Sequence, residues 1–454
     1  MSEQGAPAGE GGFLRNVNAV FLATVADYAV AFVTSIVVAR TLGKAGLGAY
    51  SLFFLSAALT HQIVGLGIGN ASIYMLGRRV FTLRQVVTAG QVMVVCAALV
   101  AAALAGVGVP VVGDALRERD VPTWAFVLAA PAMMEYRFLG FVLQGLGRFV
   151  AMSLVTLIDP LVFLLMLLAA IALADPGVGA AIWLRSAELA LGAAVVLAVV
   201  GVRHVDLSRL LRPEREVIGR MVRFGAQGEL GNLLQLANYR LDAYLVALFV
   251  GQAGVGLYAV AVGLSEGIWF IANSVAVVLV TQLTASDADD AAQRTPVVLR
   301  HTLLLSALGG AALAAAAPIF VRLLYGSAFS PAVIPLLWLL PGTVALAGSK
   351  VLTAYVFSQG RPFVNTMITA AAVVVTVALD LALIPALGVT GAAIASSAAY
   401  GAHFALALWA YGRLAGANPL RSLAPRRSDA LLYLDALRAW ARRSGPAPAA
   451  EGEA

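Results

Sequence analysis

The sequence predicts an all-α polytopic membrane protein of about 12 transmembrane helices, at about 20 residues per span, arranged as two parallel six-helix repeats. Three observations carry this. Of the 454 residues, 61% are apolar and 12% charged, with a mean hydropathy of +0.89, whereas soluble domains hold about 25% charged residues. Apolar runs long enough to cross a bilayer recur from end to end, where a membrane β-barrel would alternate polar and apolar residues. Segments of the first half also return in the second.

Read in order, the spans run over 17–39, 49–74, 86–109, 122–143, 151–173, 180–202, 224–250, 256–283, 296–319, 332–357, 363–385 and 391–411. They divide the chain into a disordered cytoplasmic amino terminus at 1–14, a first six-helix half at 15–202, a basic cytoplasmic linker at 203–223, a second six-helix half at 224–411 and a cytoplasmic tail at 412–454. The first apolar run is a full span with no small-residue cleavage site behind it, so it reads as a retained anchor. Placing the amino terminus inside puts 21 of the 30 lysines and arginines in cytoplasmic segments and five outside, which predicts that both termini are cytoplasmic. In the tail, Ser428 or Asp429 can cap a helix over about 429–443, with Leu431, Leu434, Leu437 and Trp440 on one face and Arg438, Arg442 and Arg443 at its margin. Such a helix suits anionic lipid. Residues 444–454 are too small and polar to pack.

The repeat is legible residue by residue. ARTLGKAGLGAY at 39–50 aligns with ALFVGQAGVGLY at 247–258, pairing Gly43 with Gly251, Gly48 with Gly256 and Tyr50 with Tyr258 at an offset of 208. GAAI at 179–182 recurs at 391–394, and Gly147-Arg148 recurs at Gly360-Arg361. Halves with an even number of spans are parallel copies, and such repeats place substrate at their interface.

Several chemistries are excluded. Cys96 is the single cysteine, and His61, His204, His301 and His403 lack ligand spacing, so neither a disulfide nor a metal or cofactor site is expected. The segment LGKAG near Gly43 lacks the Ser or Thr of a nucleotide-binding loop, and GLGIG at 65–69 has no third glycine; its Gly65 and Gly69 read as a close helix contact. The charged outer loop at 114–120 is too short for a catalytic domain. A transporter, not an enzyme, is expected, driven by a proton or sodium gradient or by the membrane potential. Nucleic acid is not an expected partner.

Charged residues within spans each cost about 2.5–3.5 kcal/mol on insertion scales and so mark pairs or water-filled cavities. Arg137, Arg185, Arg240, Asp242 and Lys350 are the candidate substrate contacts. Arg185 and Glu188, three apart on one helix, can also pair with each other. Glu135 with Arg137, and Arg240 with Asp242, are two apart and cannot share a face, so at least one of each must find a partner on another helix or project into a cavity. Asp27, at the middle of the first span, is the candidate ion-coupling residue. For Lys350 the alternative is snorkelling towards the inner interface. Asp159, Glu229, Glu266 and Asp380 carry no feature that separates function from structure.

LGKAGLGAYS at 42–51, GLGIGN at 65–70, the RLD segment at 240–242 with GQAGVGLY after it, and LIPALGVTGAAIA at 383–395 together resemble polysaccharide flippases of the multidrug/oligosaccharidyl-lipid/polysaccharide exporter superfamily. The resemblance implies a V-shaped pair of six-helix lobes that moves a lipid-linked glycan from the inner to the outer leaflet. Its partners would be an anionic polyprenyl diphosphate glycan, membrane lipids and glycan-assembly enzymes, in a bacterial cytoplasmic membrane. Many members have 14 helices, where this sequence predicts twelve. A multidrug or cation antiporter of the same superfamily would share the architecture.

Overall fold

The computed structural model describes residues 10–107, 122, 124–200, 204–205, 214–270, 272–273 and 288–424. Among these the regular elements are all helical. They are α1 (Glu10–Gly65), α2 (Ile68–Gly77), α3 (Leu83–Val107), α4 (Ala125–Gly145), α5 (Phe149–Leu173), α6 (Val178–Val200), α7 (Arg215–Phe249) and α8 (Gln252–Glu266). There follow α9 (Ala288–Phe320), a π-helical turn (Val321–Tyr325), a short 3₁₀ segment (Ser327–Ala332), α10 (Val333–Ser358), α11 (Pro362–Leu387) and α12 (Val389–Ala415).

Nine of these helical stretches, among the described residues, are long and apolar enough to cross a membrane. The difference from twelve has its sources in α1, α7 and the span at 256–283. The stretch Val25–Gly65 is 41 residues long, about twice what a bilayer needs, and it covers two expected spans. Gly43, at φ 66°, kinks it between them. Helix α7 carries many charged and polar residues, and α8 is 15 residues long, with 271 and 274–287, which take in the end of the expected span at 256–283, lying outside the described residues.

The second expected span is not continuous. Leu66 (φ 45°) and Gly67 (φ 71°) break it between α1 and α2. Only glycine takes the left-handed region without strain, and a Cβ on Gly67 would meet the Gly225 carbonyl oxygen at 2.5 Å. The close contact expected of Gly65 and Gly69 holds for Gly69, where a Cβ would stand 2.3 Å from the Phe141 ring; at Gly65 the nearest atom is 3.8 Å away.

Two other expectations shift. Helix α1 begins at Glu10, inside the stretch expected to be disordered, and α7 begins at Arg215, inside the expected linker. Acidic Glu216 in the first turn favours that start, and Glu216 pairs with Arg220 at 2.8 Å. The rest of the linker at 203 and 206–213, the outer loop at 114–120 and the tail helix at 429–443 lie outside the described residues.

The repeated glycines share backbone geometry. Gly43 and Gly251 have φ of 66° and 89°, and Gly147 and Gly360 both have 71°. The aligned segments also meet. A Cβ on Gly48 would lie 1.9 Å from the carbonyl oxygen of Gln252, and one on Gly256 would lie 1.8 Å from that of Lys44. Gln252 is the repeat counterpart of Lys44, so the contact is reciprocal, as between two copies related by a two-fold axis. Only a residue without a side chain allows this approach, which is how helices close on one another in lipid.

The chain forms two compact units. One comprises Met1–Leu264, Ala314–Leu339 and Thr369–Ala399; the other comprises Ser265–Leu313, Leu340–Ile368 and Tyr400–Ala454. In the first, α4 packs on α2, α3 and α6 through small residues (Ala125, Ala129, Ala130) and through Phe138, Leu139 and Leu143. In the second, Tyr355 and Tyr411 meet edge to face at 5.0 Å in the core.

Candidate substrate and ion sites

In the first unit, Asp159 on α5 and Glu188 on α6 hold Arg185 between them. The guanidinium lies 3.0 Å from Asp159 and 2.5 Å from Glu188, and 5.1 Å from the centre of the Phe163 ring. The i,i+3 pair read from the sequence is therefore present, but its third member comes from another helix. Asp27 on α1 makes no hydrogen bond among the described residues and lies within electrostatic reach of Arg137, Arg185 and Asp159.

A second acidic cluster in the same unit joins α7, α8, α11 and α12. Asp242 is 1% exposed and accepts hydrogen bonds from Tyr258, from Ser396 at 2.9 Å and from the Ala243 N–H at 2.7 Å. Expected beside a substrate, it is instead enclosed and engaged. Asp380, within electrostatic reach of Asp242, is 0% exposed, and neither of its carboxylate oxygens has a hydrogen-bond partner. An ionised carboxylate is stable in such a place only beside a cation. Asn238 and Thr376, both buried, hydrogen-bond to each other at 3.1 Å across α7 and α11.

Arg137 is differently placed. It is exposed, lines a cavity of about 110 Å³ and makes no hydrogen bond or ion pair among the described residues. His61, Asn70 and the broken turn at Gly67 line the same cavity, along with Glu229, whose carboxylate is held by Gln62 and by Asn232 at 3.2 Å. Glu135, two residues from Arg137, turns inward and accepts a hydrogen bond from Gln91 at 2.7 Å. Of the two outcomes that the spacing allowed, Glu135 takes a partner on another helix, Gln91, and Arg137 lines a cavity. Arg240 donates to the Tyr239 carbonyl at 3.4 Å and is within electrostatic reach of Asp242.

In the second unit, Lys350 on α10 donates to Asn273 at 2.9 Å and sits 5.0 Å over the Trp269 ring. It is held inside the protein and does not snorkel. The neighbouring Ser349 hydrogen-bonds to His403 at 2.6 Å. No group of three or more metal-ligating side chains occurs among the described residues.

A family model described as "Polysaccharide biosynthesis protein" matches residues 13–280, more than half of the chain. The chain belongs to this family. A search among curated proteins found no match. Among solved structures, this member of the polysaccharide biosynthesis family is similar to the lipid II flippase MurJ in an inward closed conformation, with a TM-score of 0.68 and 12% identity over 95% of this chain and 99% of that one. It is also similar to a multidrug resistance MATE family transporter of the MOP superfamily in an inward-facing conformation, with a TM-score of 0.65 and 14% identity over 86% of this chain and 94% of the other. A Vibrio cholerae MATE transporter matches with a TM-score of 0.58 and 15% identity over 89% and 97%. Identities this low establish a shared fold, that of the exporter superfamily, which the sequence motifs had indicated.

Proposed function

We propose that the protein is a flippase carrying a lipid-linked polyprenyl diphosphate oligosaccharide from the inner to the outer leaflet of a bacterial cytoplasmic membrane, by alternating access of two lobes, for cell-surface polysaccharide synthesis. The observation that carries this reading is Arg137, a guanidinium that makes no ion pair or hydrogen bond among the described residues and lines a cavity in a polysaccharide biosynthesis family member. A guanidinium fork matches two phosphate oxygens at once, so Arg137 is suited to a diphosphate headgroup. Arg240 adds a second basic residue to the same unit, and Lys350 is a basic residue of the other. With both termini cytoplasmic, Arg137 and Lys350 lie nearer the inner face and Arg240 nearer the outer.

No nucleotide hydrolysis is needed. An inside-negative potential favours export of anions by about 2.3 kcal/mol per charge per 100 mV, so a diphosphate carrying about two charges gains about 4–5 kcal/mol. Asp380, and Asp27 in the other half, are where a proton or sodium gradient would be coupled. The antiporter reading draws support from the acidic residues about Arg185 and Asp242, which suit an amphipathic cation.

Leaflet-resolved transport of a lipid-linked glycan in proteoliposomes tests the proposal. Arg137→Ala should abolish flipping at near-normal protein abundance, and Arg137→Lys should restore part of it, because a point charge still attracts phosphate without the fork. Normal flipping by Arg137→Ala sinks the cavity role. Export of tetraphenylphosphonium instead of the glycan would establish the antiporter.

A further inference from the structure

The first compact unit holds a second, larger cavity of about 310 Å³, lined by residues of α1, α5, α6 and α8 and by the π-helical turn. We propose that it is a subsite for one neutral sugar ring; this rests on the flippase reading and names the part of the glycan that the protein grips. Its volume lies at the lower end of the range for small-molecule sites, about 300–1,000 Å³.

The walls have the two kinds of surface that a pyranose presents. A sugar ring has apolar C–H faces and an edge of hydroxyls that both donate and accept. Tyr50 and Phe163 line the cavity with rings 6.2 Å apart and 16° from parallel. Thr34 lines it too, and its hydroxyl oxygen is buried without a partner. A buried hydroxyl is ordinarily satisfied, so this one requires a ligand or water.

Tyr50 supplies an independent sign. Its repeat counterpart, Tyr258, is buried and donates its hydroxyl to Asp242 beside Ser396, which donates to the same carboxylate. The Tyr50 hydroxyl makes no hydrogen bond among the described residues. The same tyrosine, placed by the same glycine turn, is structural in one half and open to a cavity in the other.

Other occupants fit less well. The one charged lining residue, Arg185, is already flanked by Asp159 and Glu188, so a phosphate would meet two carboxylates behind one guanidinium. An isoprenoid chain would dry the hydroxyls of Thr34, Tyr50 and Ser51 without pairing them. A neutral polyhydroxylated ring does neither.

The test uses the full chain in lipid nanodiscs and two short-chain polyprenyl diphosphates, one bare and one bearing a single hexose. Wild type should bind the hexose form about tenfold more tightly, the worth of one or two hydrogen bonds. Thr34→Val with Tyr50→Phe removes both hydroxyls and keeps their shapes; it should bring the two affinities within about twofold while leaving that for the bare lipid unchanged. Equal affinities in wild type, or discrimination that survives in the double variant, overturns the subsite. Failure of wild type to bind either lipid overturns the flippase reading itself.

Discussion

The two copies of the repeat handle buried acids in opposite ways. In the first, Asp159 and Glu188 face a cation built into the chain, Arg185. In the second, Asp242 is satisfied by hydroxyls from Tyr258 and Ser396, and nearby Asp380 has neither hydrogen bond nor cation of its own. The lesson concerns charge supply. A guanidinium fixed by a covalent stem cannot leave, so the first cluster always keeps one positive charge between its two acids. In the second, Arg240 is within reach of Asp242, but Asp380 has no hydrogen-bond partner among the described residues, so it must hold a proton or take a cation from outside the chain, which is the property an ion-coupled step needs.

Breaking the built-in pair should have the largest effect. Arg185→Met leaves two carboxylates facing each other in a buried site and should destabilise the protein by about 3–5 kcal/mol, read as a fall in thermal unfolding temperature in detergent. Adding Asp159→Asn and Glu188→Gln should recover most of the loss. If Arg185→Met unfolds like wild type, the cluster is not held by that cation.

The glycine contact comes next. Gly48→Ala or Gly256→Ala forces a methyl group against a backbone carbonyl that cannot rotate away, and overpacking of this kind costs about 1–3 kcal/mol. Gly140→Ala, where nothing lies within 4 Å of the added carbon, is the matched control and should be near neutral or slightly stabilising. Unfolding temperatures of the three variants decide it.

Asp380→Asn keeps the shape and removes the unbalanced charge. Its stability should stay within about 1 kcal/mol of wild type, while the dependence of transport on sodium or proton gradient disappears. An unaltered gradient dependence would remove Asp380 from coupling. The smallest effect separates the repeated tyrosines: Tyr258→Phe should lose about 1 kcal/mol with its hydrogen bonds, whereas Tyr50→Phe should lose almost nothing. Equal losses would mean that the two tyrosines do the same job.

Sequence periodicity located the helices well, because spans in lipid must be apolar over a fixed length and the backbone must bond within itself. It also located Arg185–Glu188, a pair made along one helix. It could not name Asp159 as the third member or Gln91 as the partner of Glu135, since those pairings depend on which helix faces which. Asp380 looked like any other intramembrane acid; what distinguishes it is the absence of neighbours, which no local pattern records. The break at Leu66–Gly67 was hidden for another reason. GLGIG suits close packing and a left-handed turn equally well, and the structure uses Gly69 for the first and Gly67 for the second.

The reciprocal approach of Gly48 to Gln252 and of Gly256 to Lys44 restricts how the sequence can drift. The atom nearest to each glycine's missing side chain is a carbonyl oxygen of the other half. A substitution in one copy is therefore policed by the backbone of its twin, even though the side chains of Lys44 and Gln252 are free to differ. Divergence between the halves can proceed in charge, as at Arg185 and Asp380, while the line along which they touch stays locked to the smallest residue.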